Sequence, residues 1–298
     1  HNWHPMSFSP KTGYVYIPAQ YTLAELKAAK APMFLSNKSV VNFGLDVPDL
    51  PEDPKILNKI RDAWSGELIA WDPVQQKAAW KQPYISAGNG GTLATAGNLV
   101  FQGTADGRVV AYRADTGEQL WEHRANSGVM AGPVTYTVNG EQYVAFSVGW
   151  GGIIPLLTGP LTNKGKVRAE SRVIAFKLGA HGELPPPKVA PVLPTTHQTL
   201  TATPEQLVQA RGLFNGLCAG CHGLNAISGG VVPDLRYLSD DKHAAFPAFV
   251  SGALITKGMP NFSDILQRDD MELIRQYLVK RNQDLQADLK AAGHVDTH

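Results

Sequence analysis

Ala70-Trp-Asp-Pro-Val-Gln-Gln-Lys-Ala-Ala-Trp80 and Ala111-Tyr-Arg-Ala-Asp-Thr-Gly-Glu-Gln-Leu-Trp121 are two copies of one pattern. Each starts from a small residue near the end of a strand and crosses a polar turn, Gln75-Gln76 in one and Thr116-Gly117 in the other. Each then reaches a tryptophan that opens the next strand. The two tryptophans lie 41 residues apart, which suits a four-stranded propeller blade of roughly 40–50 residues. An indole packed flat between neighbouring sheets needs a small residue beside it, and alanine admits it. Val173-Ile-Ala175 reads as a third copy whose tryptophan is missing. The repeat predicts stacked, blade-like β-sheets.

Working outward, residues 1–180 are short β-runs punctuated by turns. Tyr14-Val-Tyr-Ile17, Leu99–Gln102, Val109–Tyr112, Gln142–Ser147 and Arg172–Phe176 have strand length and β-branched or aromatic character. Asn139-Gly140 is a hairpin-turn signal, because both central residues of a type I′ turn need positive φ. The stretch 21–64 is expected to be an insertion between strands, with a short helix over Leu23–Lys30 and a proline-rich excursion over Asp46–Pro54. Residues 181–203 form a linker whose five prolines between Gly182 and Pro194 stiffen it as a spacer.

From 204 to 298 the period changes from 2 to 3.6. Thr203-Pro-Glu-Gln206 is a capping box with proline at the first helical position. Leu207, Ala210, Phe214, Leu217 and Cys221 are expected on one face behind it. A second helix is expected over Ala244–Ser251. A third, from Asp269, turns Met271, Ile274, Tyr277 and Leu278 inward.

The bulk properties agree with this mixed architecture. The 298 residues suffice for about two domains. A hydrophobic share of 43% against 18% charged excludes a disordered tail or a coiled coil. A net charge of +1 gives no electrostatic basis for nucleic acid as a partner. The most apolar stretches, such as Gly151–Leu157, are far short of the roughly 20 residues that span a bilayer. Two cysteines cannot form a disulfide framework for this length.

Both cysteines instead fall in Cys218-Ala-Gly-Cys221-His222. C-x-x-C-H is the attachment signature of haem c: one helical turn presents two thiols to the haem vinyl groups and a histidine to the iron. A zinc site would want a second ligand pair nearby, and a thioredoxin-type pair a βαβ setting. The sixth ligand is expected to be Met259, in the loop Gly258-Met-Pro-Asn-Phe262. Met271 competes, but belongs to an apolar stripe; His243 competes, but sits beside Asp240-Asp-Lys242 and is expected in solvent. The Pro233 carbonyl is placed to accept from the other ring nitrogen of His222, with Arg236 and Tyr237 facing haem propionates.

This order of motifs resembles the pyrroloquinoline-quinone (PQQ) alcohol dehydrogenases. Asn2-Trp-His-Pro-Met-Ser-Phe-Ser-Pro-Lys-Thr-Gly-Tyr-Val-Tyr-Ile-Pro18 looks like their quinone-lining segment. Gly97–Gly107 and Ala111–Trp121 look like their blade text with its tryptophan-docking motif. Tyr143–Gly152 is similar to their late active-site strand, and a haem-c domain after a proline-rich linker marks the quinohaemoprotein branch. The resemblance implies the C-terminal half of an eight-bladed β-propeller followed by a class I-like all-α cytochrome c domain. It implies oxidation of alcohols to aldehydes with PQQ and Ca²⁺, the cation acting as Lewis acid and a carboxylate as base. Electrons would leave through haem c to an external acceptor: a cytochrome, a copper protein or a membrane quinone-reducing subunit. By resemblance Asn2 and Trp3 meet the quinone, and Val148, Gly149 and Trp150 its carboxylates.

The resemblance is incomplete. The calcium ligands, the catalytic aspartate, the vicinal disulfide and the quinone-stacking tryptophan of the family are not recognisable here. The expectation is therefore a chain that works with an N-terminal fragment of the same polypeptide and is inactive alone. Covalent haem implies the bacterial periplasm. Two other classes stay open: a cytochrome cd₁-like reductase, which puts its haem domain first, and a non-enzymatic electron carrier that uses the propeller as a docking surface.

Overall fold

The computed structural model describes residues 1–23, 27–28, 45–46, 50–51, 53–165, 167, 169–186, 193 and 196–291. The chain divides into two units. The first holds His1–Leu23, Pro51–Val189 and Gly229–Val231; the second holds Ala24–Leu50, Ala190–Ser228 and Val232–His298.

The first unit is built of antiparallel up-and-down sheets. Strands β1 (Ser7–Ser9) and β2 (Tyr14–Tyr21) begin the first sheet. The chain then makes the short pair β3 (Lys27–Ala28) and β4 (Leu45–Asp46), both in the second unit, and helix α1 (Pro54–Ala63). Strands β5 (Ser65–Asp72) and β6 (Lys77–Tyr84) complete the sheet in the order β1-β2-β5-β6. Tyr21 pairs with Ser65, so 22–64 is an insertion between adjacent strands. The expected helix over Leu23–Lys30 is contradicted at Lys27–Ala28, where pairing with β4 overrides helix propensity; its other residues from 24 to 30 lie outside the described residues. Helix α1 was readable but missed: Asp53 caps it by accepting from the Lys55 N–H at 2.8 Å, and Pro54 opens it.

The second sheet runs β7 (Thr92–Ala94), β8 (Leu99–Gly103), β9 (Arg108–Arg113), β10 (Gln119–Arg124). The third has three strands, β11 (Val134–Val138), β12 (Glu141–Val148) and β13 (Arg172–Lys177), with helix α2 (Ile153–Thr162) between the last two. Asn139 and Gly140 take φ of 51° and 81°, as the tight β11–β12 turn requires. Among the described residues the first unit thus holds two four-stranded sheets and one three-stranded sheet.

The repeat explains how the first two sheets join. Ala70 lies directly across from Trp80, and Ala111 from Trp121, each pair beside a register shift that lets the indole swing outward. Trp80 then lies on Gly117, the turn glycine of the next repeat, where a Cβ would come within 2.7 Å of the indole. Its Nε1 donates to the Ala114 carbonyl at 2.9 Å, and the Tyr16 hydroxyl donates to the same oxygen at 2.9 Å. The core behind this joint is Tyr16, Leu68, Ala70, Val100, Val110 and Tyr112, all buried. Trp121 has no such seat; it stacks on His123 and meets Phe176 edge-on at 4.9 Å.

The second unit is helical. Helix α3 (Pro204–Leu217) starts at the full capping box, with Thr203 accepting from the Gln206 N–H and Gln206 from the Thr203 N–H. It buries Ala210 and Phe214. It breaks at Cys218 and restarts as α4 (Ala219–His222), which rotates Cys221 off the expected apolar face and leaves it exposed. Helix α5 (Asp240–Ala248) and a π-turn (Phe249–Ala253) follow, then α6 (Arg268–Ala291), which buries Met271, Ile274, Tyr277 and Leu278. His243 is a correction: it is 2% exposed rather than solvated. Asp240, Asp241 and Lys242 carry the polarity of the helix start, while position 243 turns toward the core.

Candidate functional site

In the helical unit the site is local. Cys218 ends α3, and Cys221 and His222 follow within one turn, with the His222 N–H donating to the Cys218 carbonyl at 2.9 Å. The His222 Nδ1 lies 3.0 Å from the Pro233 carbonyl. A carbonyl only accepts, so Nδ1 carries the proton and Nε2 keeps the lone pair that a metal needs. Desolvation lowers the His222 pKa, opposed by the Pro233 bond and the Asp234 charge, so the ring is neutral at pH 7. Burial, with Cys221 adding to it, pushes the Cys218 thiol up to about 12. Among the described residues no three His, Cys, Asp or Glu side chains form a metal-holding group. The donor set fits covalent haem.

Met259 is half-buried in the loop before α6, following Gly258 in the left-handed region. Arg236 is bound to Asp234 through Nε at 3.0 Å and Nη2 at 2.7 Å, and its carbonyl accepts from Asn282. Tyr237 is half-buried beside it.

In the β unit the site is assembled from afar. A cleft of about 710 Å³ takes Trp3 and His4 from the first turn and Val148, Gly149 and Trp150 from the end of β12. Four of the five expected quinone contacts share it; Asn2 is exposed and is not among its walls. Trp150 is 2% exposed and lies flat on Gly128, where any Cβ would overlap the indole. Its Nε1 is buried without a hydrogen-bond partner among the described residues. Val129 bridges to Gly149, which ties the second sheet to the third at this point.

Other walls of the cleft, among them His4, Arg172, Gly230 and Val231, are not among the residues expected from the sequence. His4 is buried, and desolvation first, then the nearby N-terminal charge, lowers its pKa. Arg172 is ion-paired with the buried Glu170. Gly230 and Val231 enter from beyond residue 228. Only the His-Pro step at His4 carried any signal; the others depend on folding. The volume and aromatic walls fit a small, flat organic cofactor.

Residues 57–144 match the family model of the β-propeller domain of PQQ-type glucose/ethanol/alcohol dehydrogenases. Across 286 residues the chain is 46% identical to quinohemoprotein alcohol dehydrogenase ADH-IIG of Pseudomonas putida, covering 96% of this chain and 40% of that protein. Over nearly all of its length the chain is similar to part of the quinohaemoprotein alcohol dehydrogenases. The solved structure of ADHIIG from P. putida HK5 superposes with a TM-score of 0.92 at 46% identity, over 96% of this chain and 42% of that one. The quinohemoprotein alcohol dehydrogenase of Comamonas testosteroni gives a TM-score of 0.73 at 36% identity, over 96% and 41%. The 1-butanol dehydrogenase (cytochrome c) of Thauera butanivorans is 37% identical over 285 residues, 93% of this chain and 40% of that protein. The chain spans about 40% of the length of these curated relatives.

Proposed function

We propose that this chain forms part of a PQQ-dependent alcohol dehydrogenase, with a haem-c relay in its helical unit and part of the quinone site in its β unit. The observation that carries the reading is the cleft: Trp3 and Val148–Trp150, far apart in sequence, wall one cavity in a chain that also holds Cys218, Cys221 and His222. The helical unit is read as a class I-like cytochrome c domain and the sheets as blades of an eight-bladed propeller. When bound, PQQ supplies the two-electron acceptor for the alcohol, Ca²⁺ the Lewis acid, and haem c a one-electron relay.

The protein's own residues do the holding. Trp150, seated on Gly128, is read with Val148 and Gly149 as a contact of the quinone's carboxylates, and Trp3 offers a flat wall. His4, kept neutral by burial, adds no charge to the cleft. The thiols of Cys218 and Cys221 anchor the haem. His222, its ring oriented by Pro233 so that Nε2 keeps its lone pair, and Met259 would supply the iron's ligands. Arg236 and Tyr237 are read as neighbours of the propionates, and Asn2 as a quinone contact made when the cofactor is bound. The remaining catalytic groups, with the calcium ligands and the base, are assigned to polypeptide outside these residues, because the relatives are much longer. Covalent haem supports a bacterial periplasmic location. Among the described residues no helix is long and apolar enough to cross a membrane.

The test is haem reduction under anaerobic conditions with PQQ and Ca²⁺ present, in the full-length polypeptide that contains this chain. Adding ethanol or 1-butanol is expected to reduce the haem, seen in its visible α-band, and omitting PQQ to abolish the effect. Reduction by redox proteins alone, with no response to alcohol, would overturn the dehydrogenase in favour of an electron carrier.

A further inference from the structure

The function proposed above gives no role to the insertion between β2 and β5, yet Leu50, within it, is built into the helical unit. Leu50 is buried, and it precedes Pro51, which lacks an N–H and disfavours helical backbone before it. Its carbonyl accepts from two outside donors, Arg211 Nη2 of α3 at 3.0 Å and Asn225 Nδ2 at 3.0 Å. We propose that this carbonyl is a latch, and that Asn225, which grips it, is a positioning residue for His222. The insertion thereby pins the turn by which the chain leaves the haem-attachment motif. The haem reading above is the premise, and every residue involved belongs to the helical unit.

Asn225 follows His222 within the same turn of chain and is buried. Beyond the Leu50 bond, its backbone N–H donates to Asn215 Oδ1 of α3 at 3.4 Å, and its carbonyl accepts from Arg281 Nε of α6 at 3.0 Å. Asn225 and Ala226 both lie in the left-handed region, at φ of 56° and 57°. Asparagine tolerates that conformation, whereas alanine adopts it only where its surroundings impose it. Ala226 is fully buried, and the bonds at Asn225 supply the constraint. The turn is also closed on itself. A Cβ on Gly223 would overlap the Ile227 carbonyl, and the Ile227 N–H donates to the Leu224 carbonyl at 3.1 Å. A shift at Asn225 is therefore carried back to Gly223, whose N–H bonds the Ala219 carbonyl at 2.9 Å and closes α4. Tilting that end of α4 loosens the bond from His222 Nδ1–H to the Pro233 carbonyl. A weaker bond there makes the imidazole a poorer donor and favours reduced iron.

The experiment uses the haem-loaded, full-length polypeptide that contains this chain. Asn225→Gly keeps the left-handed backbone free of strain and removes only the side-chain donor. Asn225→Asp keeps the shape but sets a carboxylate oxygen against the Leu50 carbonyl. Thr203→Ala is the control, because it loses the cap at the start of α3 and leaves the latch in place. Hydrogen exchange of the Cys221, His222 and Gly223 amides is expected to rise about tenfold in Asn225→Gly and further in Asn225→Asp. Equilibration against a cytochrome c of known potential should shift about threefold toward reduced haem in Asn225→Gly. Thr203→Ala should lower Tm without moving that equilibrium. Where Asn225→Asp does not accumulate, Asn225→Gly decides. Covalently attached haem with an unchanged equilibrium in Asn225→Gly would overturn the positioning role and leave the haem reading intact. An equal shift in Thr203→Ala would overturn it too, since lost stability rather than lost position would then be the cause. Absence of covalent haem in the wild type would overturn both.

Discussion

The two candidate sites are specified in opposite ways. In the helical unit, Cys218, Cys221 and His222 fall within one turn of chain, at the cap and end of one short helix, and the acceptor that orients the histidine is 11 residues away. In the β unit, the cleft needs residues from the first turn, the end of β12, the start of β13 and the loop at Gly230. The first site survives as long as one turn of helix and one loop do. The second exists only when the sheets are stacked, so its integrity is a property of the repeat. Chemistry that needs a fixed covalent anchor can be written locally, whereas a cavity for a flat cofactor must be enclosed by distant walls.

The sharpest way to break this contrast is to remove the local anchor. Cys218→Ala with Cys221→Ala is expected to abolish covalent haem completely, read by intact mass and by haem staining after denaturation. The β unit should be untouched, with its tryptophan fluorescence and proteolytic resistance preserved. If the β unit also fell apart, the two sites would not be independently specified.

The converse break is expected to be smaller. Trp80→Ala removes an indole that lies on Gly117 and donates to Ala114, and should cost about 3 kcal/mol, or roughly 6–12 °C in Tm. Trp121→Ala, which removes a 37% exposed ring without such a seat, should cost about 1 kcal/mol. Thermal unfolding followed by circular dichroism separates them. Equal losses would mean that the repeat joins the third sheet as firmly as the second.

The same contrast governs what was legible. The C-x-x-C-H turn, the Thr203 capping box, the Asn139-Gly140 turn and the 22–64 insertion are short-range signals. Each is present in the fold because local geometry needs those residue types. The Ala-to-Trp spacing announced a repeat, but not that Trp80 would sit on Gly117 of the following copy. That contact closes over 37 residues and is invisible to periodicity. Helix α2 was read only as an apolar stretch, since its glycine and prolines speak against a helix. Arg172, Gly230 and Val231 became cleft walls through tertiary packing alone.

His243 shows how sequence neighbours mislead, and it supports the prediction of smallest effect. Its flanking acids suggest solvent, yet the ring is buried and Nδ1 has no hydrogen-bond partner among the described residues. Burial first, and the Arg275 charge second, lower its pKa below 6.5, while Asp240 and Glu272 oppose them. The unfolded chain therefore binds a proton there at a higher pH than the folded one. Stability linked to His243 is fully present above pH 6.5 and is lost as pH falls from there toward the folded value. The slope contributed by one such group is at most about 1.4 kcal/mol per pH unit. Denaturant titrations of the wild type and His243→Leu between pH 5 and 8 isolate it, because every other group is common to both. The variant should lose less stability on acidification. An unchanged slope would mean that Asp240 and Glu272 balance burial and Arg275, so that the acidic run beside His243 offsets its desolvation even though the ring is turned inward.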